Sequence, residues 1–303
     1  MATFADTFGL ARERAGEVPR PWRLHLFMLA YCACLGVVCF AWRRMFSAID
    51  WQHAILGDMI LIPVLLVPAL FRHDLRQFDK RDAALTLPWI CLLRTMFPWI
   101  AALSAGLNLP LRDGLYIGID RSLGMNVSAV VAWTAAHPII GALLARTYYS
   151  LFPALLATAV FVPSLAGKRA AAQRFLLSVA FSFLLSLPIF ASLPGIGPWV
   201  GYQFAPDAHQ QDVKLAITAL RSGHQLVTAG IVCLPSFHAI WALLSAASLW
   251  QIKPLKVPAG LVATLTVVST ITTGWHYVCD VLAALVIAAL SLAMAESFRR
   301  SYL

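Results

Sequence analysis

The stretch Gly274-Trp275-His276-Tyr277-Val278-Cys279-Asp280-Val281-Leu282-Ala283-Ala284-Leu285-Val286-Ile287-Ala288-Ala289-Leu290-Ser291-Leu292-Ala293-Met294 decides the fold class. From Val281 to Ala295 it carries no ionisable group. A helix needs about 20 mostly apolar residues to cross the hydrocarbon core of a bilayer, and the run 276–298 meets that length. Yet it opens on a histidine and an aspartate, and ionisable groups at membrane depth are costly enough to require a reason. The segment therefore predicts a membrane-spanning helix with a polar site at its start.

The rest of the chain is made of the same material. Of 303 residues, 60% are hydrophobic and only 12% charged, and the mean hydropathy is +0.76. A soluble chain of this length carries about a quarter charged residues, so a soluble fold is excluded. An all-α polytopic bundle of about eight transmembrane helices is expected, at 25–42, 54–71, 84–107, 138–165, 175–193, 236–250, 259–274 and 276–298. A short interfacial helix is expected at 126–136. Three parts follow: a cytoplasmic amphipathic segment over 1–22, two N-terminal helices over 23–82, and a larger membrane domain over 83–303. The first apolar run lacks a small-residue cleavage site, so no cleavable signal peptide is expected.

The formal net charge is +9, from 23 Lys+Arg against 14 Asp+Glu. So basic a balance invites a nucleic-acid partner, but so apolar a chain has too little polar surface for one. Sorted by side of the membrane, the excess is a topology signal. With the N-terminus inside, the outer segments hold Arg43, Arg44, Arg112, Arg121, Lys214 and Arg221, while Arg94 and Arg146 fall within spans. All other basic residues lie inside. Both termini are then cytoplasmic, and the starts of the sixth and eighth spans face outward, periplasmic in a bacterial inner membrane.

Each of those two starts carries a polar cluster. The first is Cys233-Leu-Pro-Ser-Phe-His238. Pro235 and Ser236 suit a helix start, whose unpaired N–H groups and dipole attract an anion. His238 lies close enough to exchange a proton with that anion. In the second cluster, His276 and Asp280 are four apart and share one helix face. A carboxylate holding one imidazole nitrogen leaves the other available as nucleophile or base. Of the six cysteines, Cys32, Cys34, Cys39 and Cys91 sit inside spans as small hydrophobes. Cys233 and Cys279 flank the two clusters, either as a bridge or as two buried neutral thiols.

Pro-Ser-x-His, followed some forty residues later by His-x-x-x-Asp, resembles motifs two and three of the type-2 phosphatidic acid phosphatase superfamily. The forms Pro-Ser-Phe-His and Gly-Trp-His-Tyr-Val-Cys-Asp are similar to the branch containing inositolphosphorylceramide synthases. Gly118-Ile-Asp-Arg-Ser-Leu-Gly124 also looks like a segment of bacterial members of that branch. The first motif of the superfamily is Lys, six residues, then Arg-Pro. Here Lys214 and Arg221 have that spacing, with Ser222 in place of the proline. Where motif three begins Ser-Arg, this chain has Ser269-Thr270. That departure leans toward phosphotransferases and leaves Asp120, Arg121 or Arg146 to supply part of the missing cation's function.

The resemblance implies an integral-membrane lipid phosphatase or phosphotransferase without metal or other cofactor. His276, oriented by Asp280, would attack phosphorus to form a phosphohistidine. His238 would protonate the leaving alkoxide and then act as base toward the acceptor. Ser236, Arg221 and Lys214 would hold the phosphate oxygens. The substrate implied is a membrane lipid with a phosphate or phosphodiester headgroup. Trp199, Tyr202, Trp275 and Tyr277, with Trp133, Tyr148 and Tyr149, are expected in an interfacial aromatic belt. The rival readings are a haem-binding bundle using His238 and His276 as axial ligands, and a non-catalytic transporter or scaffold.

Overall fold

The computed structural model describes residues 21–43, 86–90, 92–93, 96, 105–222 and 233–303. Residues 1–20 of the expected amphipathic segment, the span 54–71 and most of the span 84–107 lie outside the described residues. Among the described residues every regular element is helical. They are α1 (Pro21–Arg43), α2 (Asp113–Ser122), α3 (Val127–Ala136), α4 (Pro138–Arg146), α5 (Phe152–Leu165) and α6 (Arg169–Ser192). After these come α7 (Pro198–Gly201), α8 (Ala208–Arg221), α9 (Phe237–Leu249), α10 (Lys256–Thr272) and α11 (Val278–Tyr302).

Four helical segments are long and apolar enough to cross a membrane: Pro138–Leu165, Arg169–Ser192, Lys253–Thr272 and Val278–Tyr302. The expected polytopic helical bundle is therefore what this chain forms. The first of these joins α4 to α5 through a π-helical turn at Thr147–Leu151. The expected helix at 126–136 is α3, whose first turn is capped by Asn126 Oδ1 accepting from Ala129 N. The seventh span starts earlier than expected. Pro258 falls in the first turn of α10, where a missing N–H breaks no intrahelical bond, so the helix runs through it.

α9 is the hub, packed against α5, α6, α10 and α11. It has only 13 residues, about 20 Å at 1.5 Å per residue, against 24 in α6 and 25 in α11. The Phe237 ring lies 5.5 Å from that of Phe183, whereas α6 continues from Phe183 to Ser192, about 13 Å of further helix. α9 therefore begins inside the bundle, below the end of α6. At the far end Arg174 donates to the Ala247 carbonyl (2.9 Å), and Arg23 of α1 donates to the Tyr302 carbonyl (3.2 Å). α1 lies against α6 and α11, with Tyr31 donating to the Ala180 carbonyl at 2.8 Å and Phe27 4.6 Å from Phe298.

Residues 193–204 and α2 form a roof over the start of α11. The buried Asp113 carboxylate accepts from the amides of Ile196 and Gly197 (2.9–3.1 Å) and from the Tyr277 hydroxyl (2.9 Å). Tyr116 donates to the Leu193 carbonyl. These bonds join the roof to the start of α11. The aromatic belt is corrected here. Trp199, Trp275 and Tyr277 are 3%, 7% and 0% exposed, so they pack inward and do not face lipid. Tyr148 is likewise buried. Trp133 alone of the seven is more than half exposed, at 51%.

Candidate active site

His276 does not sit on a helix. α10 ends at Thr272, and Gly274 turns the chain with φ +75°, a conformation that glycine adopts without the Cβ penalty. A Cβ there would also meet the Phe204 ring at 2.8 Å. The Thr270 carbonyl accepts from the amides of both Trp275 and His276 (3.1 and 3.0 Å). The histidine is thus fixed just ahead of α11, which starts at Val278.

The expected His276–Asp280 contact is present, but its geometry is that of a helix cap. Asp280 lies in the first turn of α11, and its Oδ2 folds back to accept from the Tyr277 amide at 2.9 Å. The same oxygen lies 3.3 Å from His276 Nδ1. Nδ1 is also 3.0 Å from the Cys233 carbonyl. Both partners of Nδ1 are acceptors, so Nδ1 carries the proton and Nε2 keeps its lone pair. His276 is 4% exposed and Asp280 fully buried. Nε2 makes no hydrogen bond among the described residues.

Ser236 caps α9, with Oγ accepting from Ala239 N at 3.3 Å, and its own amide donates to the Asp280 carbonyl at 3.3 Å. This bond sets the starts of α9 and α11 side by side. His238, in the first turn of α9, then lies across from His276 with ring centroids 6.5 Å apart. On its other side His238 meets Tyr148, stacked at 4.2 Å and 20°, and Phe152 at 4.7 Å. The Tyr148 oxygen is 3.3 Å from His238 Nδ1.

Asp120, expected as a substitute for a phosphate-binding group, is engaged elsewhere. Its carboxylate accepts from the Val278 and Cys279 amides (3.1 and 3.0 Å). It satisfies two of the donors that a helix start leaves unpaired, and the negative charge suits that end of the dipole. Arg121 and Arg146 are exposed and make no hydrogen bond to His238, His276 or Ser236. Thr270, at the position of the missing arginine, turns its hydroxyl back to the Val267 carbonyl (2.7 Å).

Cys233 and Cys279 are free thiols. Cys233 donates to Asp280 Oδ2 (3.3 Å), and Cys279 Sγ lies 3.8 Å from Oδ1. Burial, reinforced by the neighbouring Asp280 charge, pushes the Cys233 thiol well above its ordinary value, so it stays a neutral donor. Among the described residues no group of three or more His, Cys, Asp or Glu side chains is placed to hold a metal ion.

Lys214 and Arg221 lie on α8, seven residues apart. At 3.6 residues per turn this puts them on nearly one line along the helix, at the edge of the buried face formed by Gln210, Val213, Ile217 and Leu220. Neither bonds to His238 or His276. Lys214 is exposed, and Arg221 Nη1 donates to the Leu109 carbonyl at 2.8 Å. The base of α8 is nonetheless tied to the site. Gln210 donates to the Thr273 carbonyl (3.1 Å). Trp275 Nε1 donates to the Tyr149 hydroxyl, which donates to Asp207, the residue capping α8 (both 2.9 Å).

Tyr148, Asp113 and the Cys233 carbonyl are the site's contributors that motif spacing leaves out. Only the tandem Tyr148-Tyr149, two polar-tipped residues inside an apolar run, carries a signal in the sequence. A family model described as the PAP2 superfamily matches residues 116–294, a span from α2 to α11 that takes in both histidines, Ser236, Asp280, Lys214 and Arg221. No curated protein and no solved structure matches the chain.

Proposed function

The chain belongs to the PAP2 superfamily, and on that premise we propose that it cleaves a phosphate ester of a membrane lipid through a phosphohistidine on His276. The observation that carries this reading is the pairing of the two histidines. One is backed by a buried carboxylate and keeps Nε2 open, and the other faces it at 6.5 Å. Nε2 of His276 attacks phosphorus as the P–O bond to the lipid breaks, and His238 gives its proton to the departing alkoxide. In the second step neutral His238 takes the proton of the acceptor hydroxyl. The acceptor oxygen bonds phosphorus, and the P–N electron pair returns to His276.

Asp280 orients His276 and offsets the positive charge that develops on its ring. Ser236 and the first turn of α9 receive equatorial oxygens, with Lys214 and Arg221 bringing cations from α8 as the headgroup enters. The proposed site opens on the outer face, periplasmic in a bacterial inner membrane, with both termini cytoplasmic. The support for that orientation is the scarcity of basic residues in the outer segments. The reaction is proposed to need no metal.

A second reading is a phosphodiester headgroup transfer of the inositolphosphorylceramide synthase type, with a lipid or polyol hydroxyl as acceptor. The observation favouring it is Thr270, whose hydroxyl is turned into its own helix where the family's third motif has an arginine. A phosphodiester carries one negative charge where a monoester carries up to two, so it needs fewer cations. The deciding experiment follows purified protein in detergent with a labelled lipid phosphomonoester or phosphodiester, with and without a hydroxyl acceptor. Free phosphate alone supports hydrolysis, and acceptor-dependent headgroup transfer supports the transferase. No turnover with either, or an absolute Mg²⁺ requirement revealed by EDTA, refutes the proposed chemistry.

A further inference from the structure

One buried polar side chain at the site has no part in the chemistry described above. Tyr148 is 4% exposed and lies in the π-helical turn Thr147–Leu151. Such turns insert one extra residue into a helix and so re-aim the side chains around it. Here two successive tyrosines both reach the site. Tyr148 stacks on His238 and Tyr149 takes the Trp275 indole N–H. The Tyr148 ring is also parallel to that of Trp275, at 5.9 Å and 9°. It therefore lies against both the residue before the nucleophile and the face of the second histidine.

We propose that Tyr148 is the positioning residue of His238, its phenolic oxygen accepting the Nδ1–H so that Nε2 faces the reacting phosphate. This rests on the phosphohistidine reading above and assigns the second histidine the partner that reading lacks. The two imidazoles are then held alike, each by Nδ1, but by partners of different charge. His276 has a carboxylate, which favours positive charge on the ring and suits a nucleophile that becomes phosphorylated. His238 has a neutral phenol, which fixes ring and tautomer without adding a charge that would hold its proton too firmly. A phenol accepts through its oxygen whether or not His238 bears a second proton, so the same contact serves both half-reactions. Among the described residues the titratable groups facing His238 are Tyr148 and His276. Behind Tyr148 stand Tyr149 and Asp207, and behind His276 stands Asp280.

Two measurements test this. Tyr148→Phe keeps the stack and removes only the oxygen. It is expected to lower kcat roughly 10- to 100-fold, a part of the roughly 10²–10⁴ that positioned acid–base catalysis supplies, with KM nearly unchanged. Losing an acceptor from the imidazolium disfavours the protonated form, so the alkaline limb of kcat/KM should move to lower pH by roughly half a unit to one unit. The same variant with wild-type kcat and an unmoved alkaline limb overturns the proposal.

The second measurement needs no turnover and no variant. In ¹⁵N-histidine-labelled wild-type protein, neutral His238 should give the correlation pattern of an Nδ1–H, Nε2-bare ring. An Nε2–H pattern overturns the proposal even if Tyr148→Phe fails to fold. Wild-type protein that shows the Nδ1–H signature but forms no phosphoenzyme and turns over no lipid phosphate refutes the enzymatic reading, and the acid–base role with it. The two failures are thereby told apart.

Discussion

Replacing Asp280 by asparagine isolates the charge behind the proposed nucleophile. The carboxylate is fully buried, and Oδ2 carries three contacts: Tyr277 N at 2.9 Å, His276 Nδ1 at 3.3 Å and Cys233 Sγ at 3.3 Å. Asparagine can place its amide oxygen at the Oδ2 position and keep all three as neutral hydrogen bonds. Its NH₂ then lies toward Cys279 Sγ, a weak acceptor. What is lost is the charge assistance. Hydrogen bonds to charged groups contribute about 1.5–3 kcal/mol, against about 1 for neutral ones. The difference, roughly 0.5–2 kcal/mol, corresponds to roughly a 2- to 30-fold slower phosphorylation step, at 1.36 kcal/mol per tenfold.

Asp280→Ala should do more, because it strips the helix cap and leaves buried donors unpaired, each costing about 1–3 kcal/mol. Its thermal midpoint in detergent should fall, while that of Asp280→Asn stays near wild type. The assay is rapid quench with ³²P-labelled lipid phosphate, following acid-labile phosphoenzyme. A wild-type phosphorylation rate in Asp280→Asn refutes the assignment of charge stabilisation to this residue. A collapse of stability in Asp280→Asn equal to that of Asp280→Ala refutes the reasoning about retained bonds.

Outcomes at four further residues follow from the geometry. Gly274→Ala forces a Cβ into φ +75° and against Phe204. It should destabilise by about 1–2 kcal/mol, read as a lower detergent melting temperature, and slow turnover by displacing His276. Asp120→Ala leaves the Val278 and Cys279 amides without acceptors, at a cost of about 1–2 kcal/mol as a lost helix cap. Asp120→Asn, with one acceptor oxygen, should recover part of that loss in the same melt. Lys214→Ala should raise KM for an anionic lipid with little change in kcat or stability, since the lysine is exposed. Arg221→Ala should raise KM and also lower the melting temperature, since its guanidinium bonds the Leu109 carbonyl. Equal melts for the two variants would argue against that bond.

The readable part of this protein is local. An uncharged run such as 281–295 specifies a membrane helix because a helix satisfies every backbone group within the segment itself. Ser236 and His238, or His276 and Asp280, were legible as pairs because their partners lie within one turn of chain. Even there the sequence pointed to a shared helix face, where the chain builds a turn and a cap instead. Gly274 and the Thr270 carbonyl hold His276 outside α11.

What the sequence by itself determined is the helical, apolar character of the spans at 25–42, 138–165, 175–193, 236–250, 259–274 and 276–298 and the two histidine motifs, all consequences of composition and short-range spacing. Only the tertiary structure decided what stands behind each motif. Tyr148 meets His238 across 90 residues of chain, Asp113 reaches Tyr277 across 164, and Asp120 reaches Val278 across 158. The same packing turned Trp199, Trp275 and Tyr277 inward from the lipid surface where their residue types would place them. A lone tyrosine or aspartate in an apolar chain carries no mark of its partner. Buried polar atoms must find one, and which one they find depends on how the helices pack.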